Sequence, residues 1–338
     1  MMDWFERLTG FRETSYGDTR AKLRVVDGRL ASLVNGRAYG IGHLELLALG
    51  ELRERVKSAS GPSGRPTVSI TIGDVREMHR MPENAAALFQ VASQFNLLEM
   101  VSPSVSPEQG VTRYQNDHTQ GPACAIACGA ATIYRNYFAP IGQGEGQTSA
   151  RQFDGLKDVG DALSRALAVP VGTLWEMRNG YALCRPQGLE AIMERLRTLG
   201  ADELDQLRGL LRIGLHWDVE VTDSTGGTRP TVSQAFCSAL PVAYTNIASQ
   251  RWTAFASLVL EAAYEATILA AVLNARRGAS NVVLLTQLGG GAFGNRNDWI
   301  FAAIRRALEI ASRFAIDVKL VSYGEPSQAI VQLSRDFA

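Results

Sequence analysis

The chain has 338 residues, 46% of them hydrophobic, which suits one large domain or two modest ones. Lys plus Arg and Asp plus Glu number 34 each, so no general attraction to nucleic acid or anionic lipid is implied. Four cysteines (Cys124, Cys128, Cys184 and Cys237) are too few to staple a chain this long and match no zinc spacing; they fit a reducing, cytoplasmic compartment.

The N-terminal run MMDWFERLTGF carries acids and no apolar core, so it does not read as a signal peptide. Residues 1–60 read as an N-terminal extension of hairpin plus helix. Asp27-Gly28 between two short apolar runs marks the hairpin, and Leu46, Leu49 and Leu52 predict a helix over 44–56. SASGPSGRP, at 58–66, is a linker by composition and sets a boundary near residue 60. Residues 68–72 alternate apolar and hydroxyl side chains as a half-buried strand does, and 87–92 reads as a second strand. Asn96 lies just past it, where α/β folds gather ligands. It is either a base or ribose contact or a turn asparagine.

Residues 108–121 form a polar loop, the densest run of acid–base and hydrogen-bonding groups in the chain: Glu108, Tyr114, Asn116, Asp117, His118, Thr119 and Gln120. It leads through Gly121 and Pro122 into a small-residue helix over 123–137, where Cys124 and Cys128 read as packing. The loop is either functional or a solvated surface of turn residues. About 141–211 follows as an insertion, with a helix over 156–167, an Asn-Gly turn in WEMRNGYAL and charged amphipathic helices over 188–211. Residues 216–222 alternate strictly. The preferred reading is that His216, Asp218 and Glu220 form the solvent face of an edge strand. The alternative is a like-charge pair, Asp218 and Glu220, tuned for acid–base work.

Residues 231–240 read as a strand. The most apolar stretch, 254–273, is long enough to span a bilayer, but Glu261 and Glu265 on one helical face would be costly in lipid, so it reads as a buried core helix with no membrane partner. Residues 282–299, VVLLTQLGGGAFGNRNDW, organise the rest. A buried strand meets Gly289, Gly290, Gly291 and Gly294, and a helix with Ile300, Ile304, Leu308 and Ala311 on one face follows. Glycines let backbone N–H groups approach an oxyanion and a helix N-terminus adds positive charge, so the loop reads as a phosphate or diphosphate site, with a tight turn as the alternative. A last strand, 317–322, ends at Tyr323, placed either to stack on a nucleobase or to pack the strand end. Strands alternating with helices predict an α/β sandwich with a mixed sheet. GxxxxGK[ST], HExxH and GxSxG are all missing, and the four histidines are scattered, so no metal and no cofactor is expected.

LLTQLGGGAFGNRNDWIFAAIRRAL resembles the second phosphate-binding loop and following helix of macrodomains, in the poly(ADP-ribose) glycohydrolase-like branch. FQVASQFNLLEM with TQGPACAIACGA is similar, more loosely, to that family's first strand, its asparagine and its first loop. The resemblance implies a macrodomain-like three-layer α/β/α sandwich over 61–338. It also implies an ADP-ribose pocket with Gly121 in the first loop. Gly289, Gly290, Gly291, Ala292, Phe293 and Gly294 would wrap the diphosphate, Asn96 would face the proximal ribose, and Tyr323 would lie near the adenine. The adjacent glutamates of the glycohydrolase branch do not stand in GPACAI, where Cys124 takes their neighbourhood. A related group of bacterial effector hydrolases acting on ADP-ribosylated ubiquitin also departs there, and the chain looks closer to that group. The catalytic carboxylate then falls to Asp117, with Glu108 second and His118 and Gln120 orienting water or substrate. The implied function is an ADP-ribosyl hydrolase acting on a modified protein. A non-catalytic ADP-ribose reader and an NAD-metabolite or sugar-nucleotide hydrolase are the alternatives.

Overall fold

The computed structural model describes residues 2–58, 64–224 and 229–337. Seven strands make its central sheet: β1 (His43–Ala48), β2 (Thr67–Ile72), β3 (Leu88–Ala92), β4 (Arg212–Glu220), β5 (Thr231–Cys237), β6 (Val282–Leu285) and β7 (Asp317–Ser322). Their order is β1-β4-β5-β3-β6-β7-β2. From β5 to β2 the neighbours run parallel, while β4 is antiparallel to both β5 and β1. The sheet is mixed, as the alternation of elements predicts.

The central parallel strands β3 and β6 bury both faces, which is why they read as near-continuous apolar runs. Leu88, Val283 and Leu285 face one core cluster, and Phe89, Val91 and Leu284 face another. Five helices build the layers on either side: α1 (Leu49–Ser58), α2 (Gln120–Ala127), α3 (Gly129–Tyr137), α4 (Thr253–Arg276) and α5 (Asn297–Ala311). Helices α1, α4 and α5 cover the first face; α2 and α3 cover the second. The result is three layers, α/β/α. The apolar stretch in α4 is long enough to cross a membrane, yet 83% of its most apolar window is buried in protein. Its acids are paired, Glu261 with Arg208 and Glu265 with Arg53 and Arg306.

Three local expectations change. Residues 44–56 are not one helix: 43–48 form strand β1 against β4, and α1 begins at Leu49. Leucines at 44, 46, 47, 49 and 52 satisfy either period over so short a run, and the free edge of β4 decides between them. The strand at 216–220 is not an edge strand, because β1 covers it, so His216 is fully buried. Asp218 sits at a bulge and pairs with Arg277 while Glu220 pairs with Arg229, so the two carboxylates do not form a like-charge pair. The proposed linker at 58–66 lies largely outside the described residues.

The hairpin forms as expected, with Leu23–Val26 against Arg29–Ser32 and positive φ at Asp27 and Gly28. Its Leu30, with Trp4, Phe5 and Tyr39, shares a core cluster with Ile126, Ile133 and Tyr137 of α2 and α3. The stretch 141–211 is equally integral. Leu156, Leu163, Trp175, Leu189 and Ile192 join the cluster built around α4, and a tight hairpin, Trp175–Arg178 against Tyr181–Cys184, turns at Asn179 and Gly180.

Candidate functional site

Strands β3, β6, β7 and β2 are parallel, so their C-terminal ends lie along one rim of the sheet. Two adjoining cavities of about 350 and 340 Å³ open there and share Asp117, Thr119, Gln120, Thr286 and Gln287. Each falls within the range of ligand pockets, roughly 300–1,000 Å³, and the rim of parallel strands is where such pockets form. The outer part is bounded by Gly73, Asp74, Arg76, His118 and Tyr323; the inner part by Gln94, Glu99, Tyr181, Tyr244 and the glycine loop.

The glycine loop forms the first wall. Gly289 and Gly294 have φ of +73° and +69°, and a Cβ on either would lie 2.4 Å from the Ala239 Cβ or 2.8 Å from the Ala243 Cβ. Only glycine fits there. Three bonds close the loop: the Gly290 N–H donates to Gln287 O, Gly294 N–H to Gly291 O, and Asn295 N–H to Gly289 O. The N–H groups of Gly289, Gly291, Ala292 and Phe293 donate to nothing among the described residues, and these four residues line the cleft. Unsatisfied backbone donors gathered on one concave wall are suited to an oxyanion. Phe293 packs edge-on to Tyr244 at 5.6 Å and 5.3 Å from Tyr181. Gly290 and Gly294 shape the loop without lining the cleft, and the first residues of α5 do not line it either. The helix-end contribution expected there comes instead from α2.

Helix α2 forms the second wall. Its N-cap, Thr119, makes no side-chain capping bond, and Gln120 and Gly121 line the cleft with N–H groups that donate to nothing among the described residues, while Pro122 beside them has no N–H to satisfy. A Cβ on Gly121 would lie 1.9 Å from Ala92 O, so the helix start meets the end of β3 only through glycine. Gln120 ties the two together: its Oε1 accepts from Ala92 N–H at 2.8 Å and its Nε2 donates to Gln90 O at 2.8 Å. It acts as a rivet for this wall, which leaves its amide engaged rather than free to orient water. Asp117 stands where the two cavities meet. It is half-buried, and its Oδ1 accepts from Thr119 N–H at 2.9 Å. His118 and Tyr323 are exposed at the outer end, Tyr323 at 83%.

The N-terminal segment holds this loop in place. Glu13 accepts from the N–H groups of Val111 and Thr112 and from the Tyr137 hydroxyl, and the Trp4 indole donates to Thr112 O.

Two expected site residues lie elsewhere. Asn96 is fully buried; its Oδ1 accepts from Leu98 N–H at 3.1 Å and its Nδ2 donates to Gln152 at 2.8 Å, so it is a turn asparagine and not a ribose contact. Glu108 does not line the cleft and is not the second carboxylate of the site. It accepts from the Ser149 N–H and hydroxyl at 2.8 and 2.9 Å. Burial raises its pKa, but hydrogen bonds from Ser149 and Ser106 outweigh this and leave the carboxyl below its usual range.

The missed residue is Glu99. It is 2% exposed and lines the inner cavity. Burial pushes its pKa up to about 8, and the nearby Arg135 guanidinium offsets only part of this. The signal was available: a lone acid inside Leu97-Leu98-Glu99-Met100 reads as a charge carried into a core. Tyr181 and Tyr244 were also missed, having no local mark of their own.

No protein-family model matches the chain, and no curated protein matches it. Among solved structures, it resembles a poly(ADP-ribose) glycohydrolase from Thermomonospora curvata at 14% identity, covering 92% of this chain and 94% of that one with a TM-score of 0.48. The same enzyme bound to the inhibitor ADP-HPD gives 15% identity, 92% and 94% coverage, and 0.45. A poly(ADP-ribose) glycohydrolase from Deinococcus radiodurans in complex with ADP-ribose gives 13% identity, 87% and 92% coverage, and 0.45.

Proposed function

We propose that the chain is an ADP-ribosyl hydrolase that releases ADP-ribose from a modified protein by cleaving the bond at the ribose anomeric carbon. One observation carries this reading. A single cleft runs along the strand ends between two walls of open N–H groups, the 289–293 loop and the start of α2, with Asp117 between them. Two linked phosphates engage such walls together, and the motif resemblance of the glycine loop points the same way. The outer end, with Tyr323, then takes the adenine, and the inner end takes the ribose that carries the scissile bond. Cleavage of that bond passes through an oxocarbenium-like state, and a carboxylate that directs water at the anomeric carbon assists it. Asp117 is assigned that part. Binding energy from the phosphates, remote from the reacting carbon, fixes the ribose.

The test is calorimetric titration with ADP-ribose against AMP and NAD, followed by release of ADP-ribose from modified proteins, ADP-ribosylated ubiquitin among them. Selective ADP-ribose binding with release supports the reading. Binding without release on any modified protein makes the chain a reader, and no binding removes the phosphate assignment.

A further inference from the structure

Glu99 is held with unusual care for a residue that Asp117 leaves without a role. Leu97 before it has a φ of +64°, a strained setting for leucine. Three side chains then pin the turn: Asn96 Oδ1 accepts from Leu98 N–H, Tyr114 Oη accepts from Glu99 N–H, and Gln94 Oε1 accepts from Met100 N–H. The Glu99 side chain fills the space that Gly121 leaves by having none; a Cβ there would lie 3.1 Å from the Glu99 Cγ. Glu99 is therefore packed into the wall of the inner cavity, beside the first turn of α2.

Its partners are few. Oε1 lies 3.5 Å from Arg135 Nη2, too long for a good hydrogen bond. Arg135 is held more firmly by others: Leu97 O at 3.1 Å, Thr132 Oγ1 at 3.2 Å and the Phe236 ring at 3.8 Å from its centroid. Glu99 Oε2 has no partner among the described residues. An ionised, dry carboxylate with one empty oxygen is unfavourable, so burial favours the protonated acid. The chain thus carries a dry, protonated carboxylic acid, with one unpartnered and buried oxygen, in the wall of the inner cavity. Asp117, half-buried, lines the same cavity.

We propose that Glu99 is the proton donor of the reaction, protonating the leaving atom while Asp117 takes the proton of the attacking water. The proposal rests on the hydrolase reading. The bond from the anomeric carbon to the leaving oxygen or nitrogen breaks with its electron pair on that atom, which receives the Glu99 proton. The water oxygen bonds to the anomeric carbon, and its proton passes to Asp117. Solvent then returns a proton to Glu99 and removes one from Asp117, so the net reaction consumes one water and needs no other reactant.

The experiment compares wild type and Glu99→Gln on two substrates across pH 5 to 10: an ADP-ribosylated protein, and an ADP-ribosyl compound with an activated aryl leaving group that needs no proton. On the protein substrate, wild-type kcat falls on the basic side with a midpoint near 8, where the acid ionises. On the aryl substrate that fall is missing. Glu99→Gln keeps the ADP-ribose Kd within about threefold, loses about a hundredfold or more in kcat on the protein, and recovers most of the loss on the aryl substrate. Unchanged kcat and pH profile in Glu99→Gln, or equal losses on both substrates, overturn the proposal. If Glu99→Gln does not fold, the wild-type profiles decide alone: a basic limb that is the same for both substrates overturns it. Turnover of neither substrate by a wild type that binds ADP-ribose overturns the hydrolase reading together with this one.

Discussion

Two buried glutamates occupy two cavities in this molecule, and they differ in how completely they are paired. Glu265 lies under α1 and α5 beside a cavity of about 620 Å³, larger than either part of the cleft. Its carboxylate accepts from Arg53 at 2.6 and 3.0 Å and from Arg306, and Asp205 binds Arg53 from the other side. Glu99 has one long contact and one empty oxygen. Volume does not distinguish a site from a gap between helices; unsatisfied groups do. The larger cavity is lined by ions that answer one another. The cleft is lined by backbone donors with no acceptor among the described residues and by an acid that Arg135 only half answers, the kind of groups a ligand can complete.

Substitutions in the two places should separate accordingly. The largest effect is expected from Gly291→Glu. Gly291 lines the cleft and an added Cβ there meets nothing within 4 Å, so the variant folds with an unchanged Tm and sets a carboxylate against the diphosphate. ADP-ribose Kd should rise about a thousandfold, read by calorimetry. Asp117→Ala should leave Kd nearly unchanged and lower kcat by about a hundredfold or more in a release assay. Full activity in that variant breaks the assignment of Asp117 while leaving the pocket standing.

Glu265→Ala should do the reverse. It strands Arg53 and Arg306, each about a quarter exposed and still facing Asp205, so unfolding in urea should show about 2 kcal/mol of lost stability, below the figure for a fully buried pair, with Kd and kcat unaltered.

The acid itself gives a pH test. Its folded pKa of about 8 lies above the ordinary value of 4.5, so between these the folded state holds more protons than the unfolded one. The stabilising contribution is complete below about pH 4.5 and is lost as pH rises to about 8. Wild-type Tm should therefore fall across that window more steeply than that of Glu99→Gln, with the variant ahead at pH 8.5 and the gap closing toward pH 5. The smallest effect is expected from Tyr323→Ala. Loss of stacking from so exposed a ring should weaken ADP-ribose and AMP alike by about fivefold.

Much of this architecture could be read from residues alone because its signals are local. Asp27-Gly28 makes a hairpin because two adjacent residues tolerate positive φ, and Gly289 to Gly294 make a loop between VVLL and a helical face for similar reasons. Glu261 and Glu265 argued against a lipid-facing helix, and the same two acids are found paired with arginines. Other readings failed where two answers were locally equal. Leu44 and Leu46 belong to a strand because β4 offers a free edge, and Asn96 serves a turn because Leu98 N–H and Gln152 lie within its reach.

The order of residues alone settles the dihedral and periodic features: the glycine loop, the strands buried on both faces, the core helix and the polar loop that carries Asp117. Which acids are dry and which are paired is settled only in three dimensions. Glu99 is near in sequence to neither Gly121, which makes room for it, nor Arg135, which half answers its charge, nor Tyr181, which lines the cavity with it. Glu108, the second carboxylate of the polar loop, is turned away from the cleft by Ser149, on a distant loop, which binds its Oε1. The protonation state of a carboxyl depends on solvent access and on charges within a few ångströms, and both are set by parts of the chain that only folding brings together.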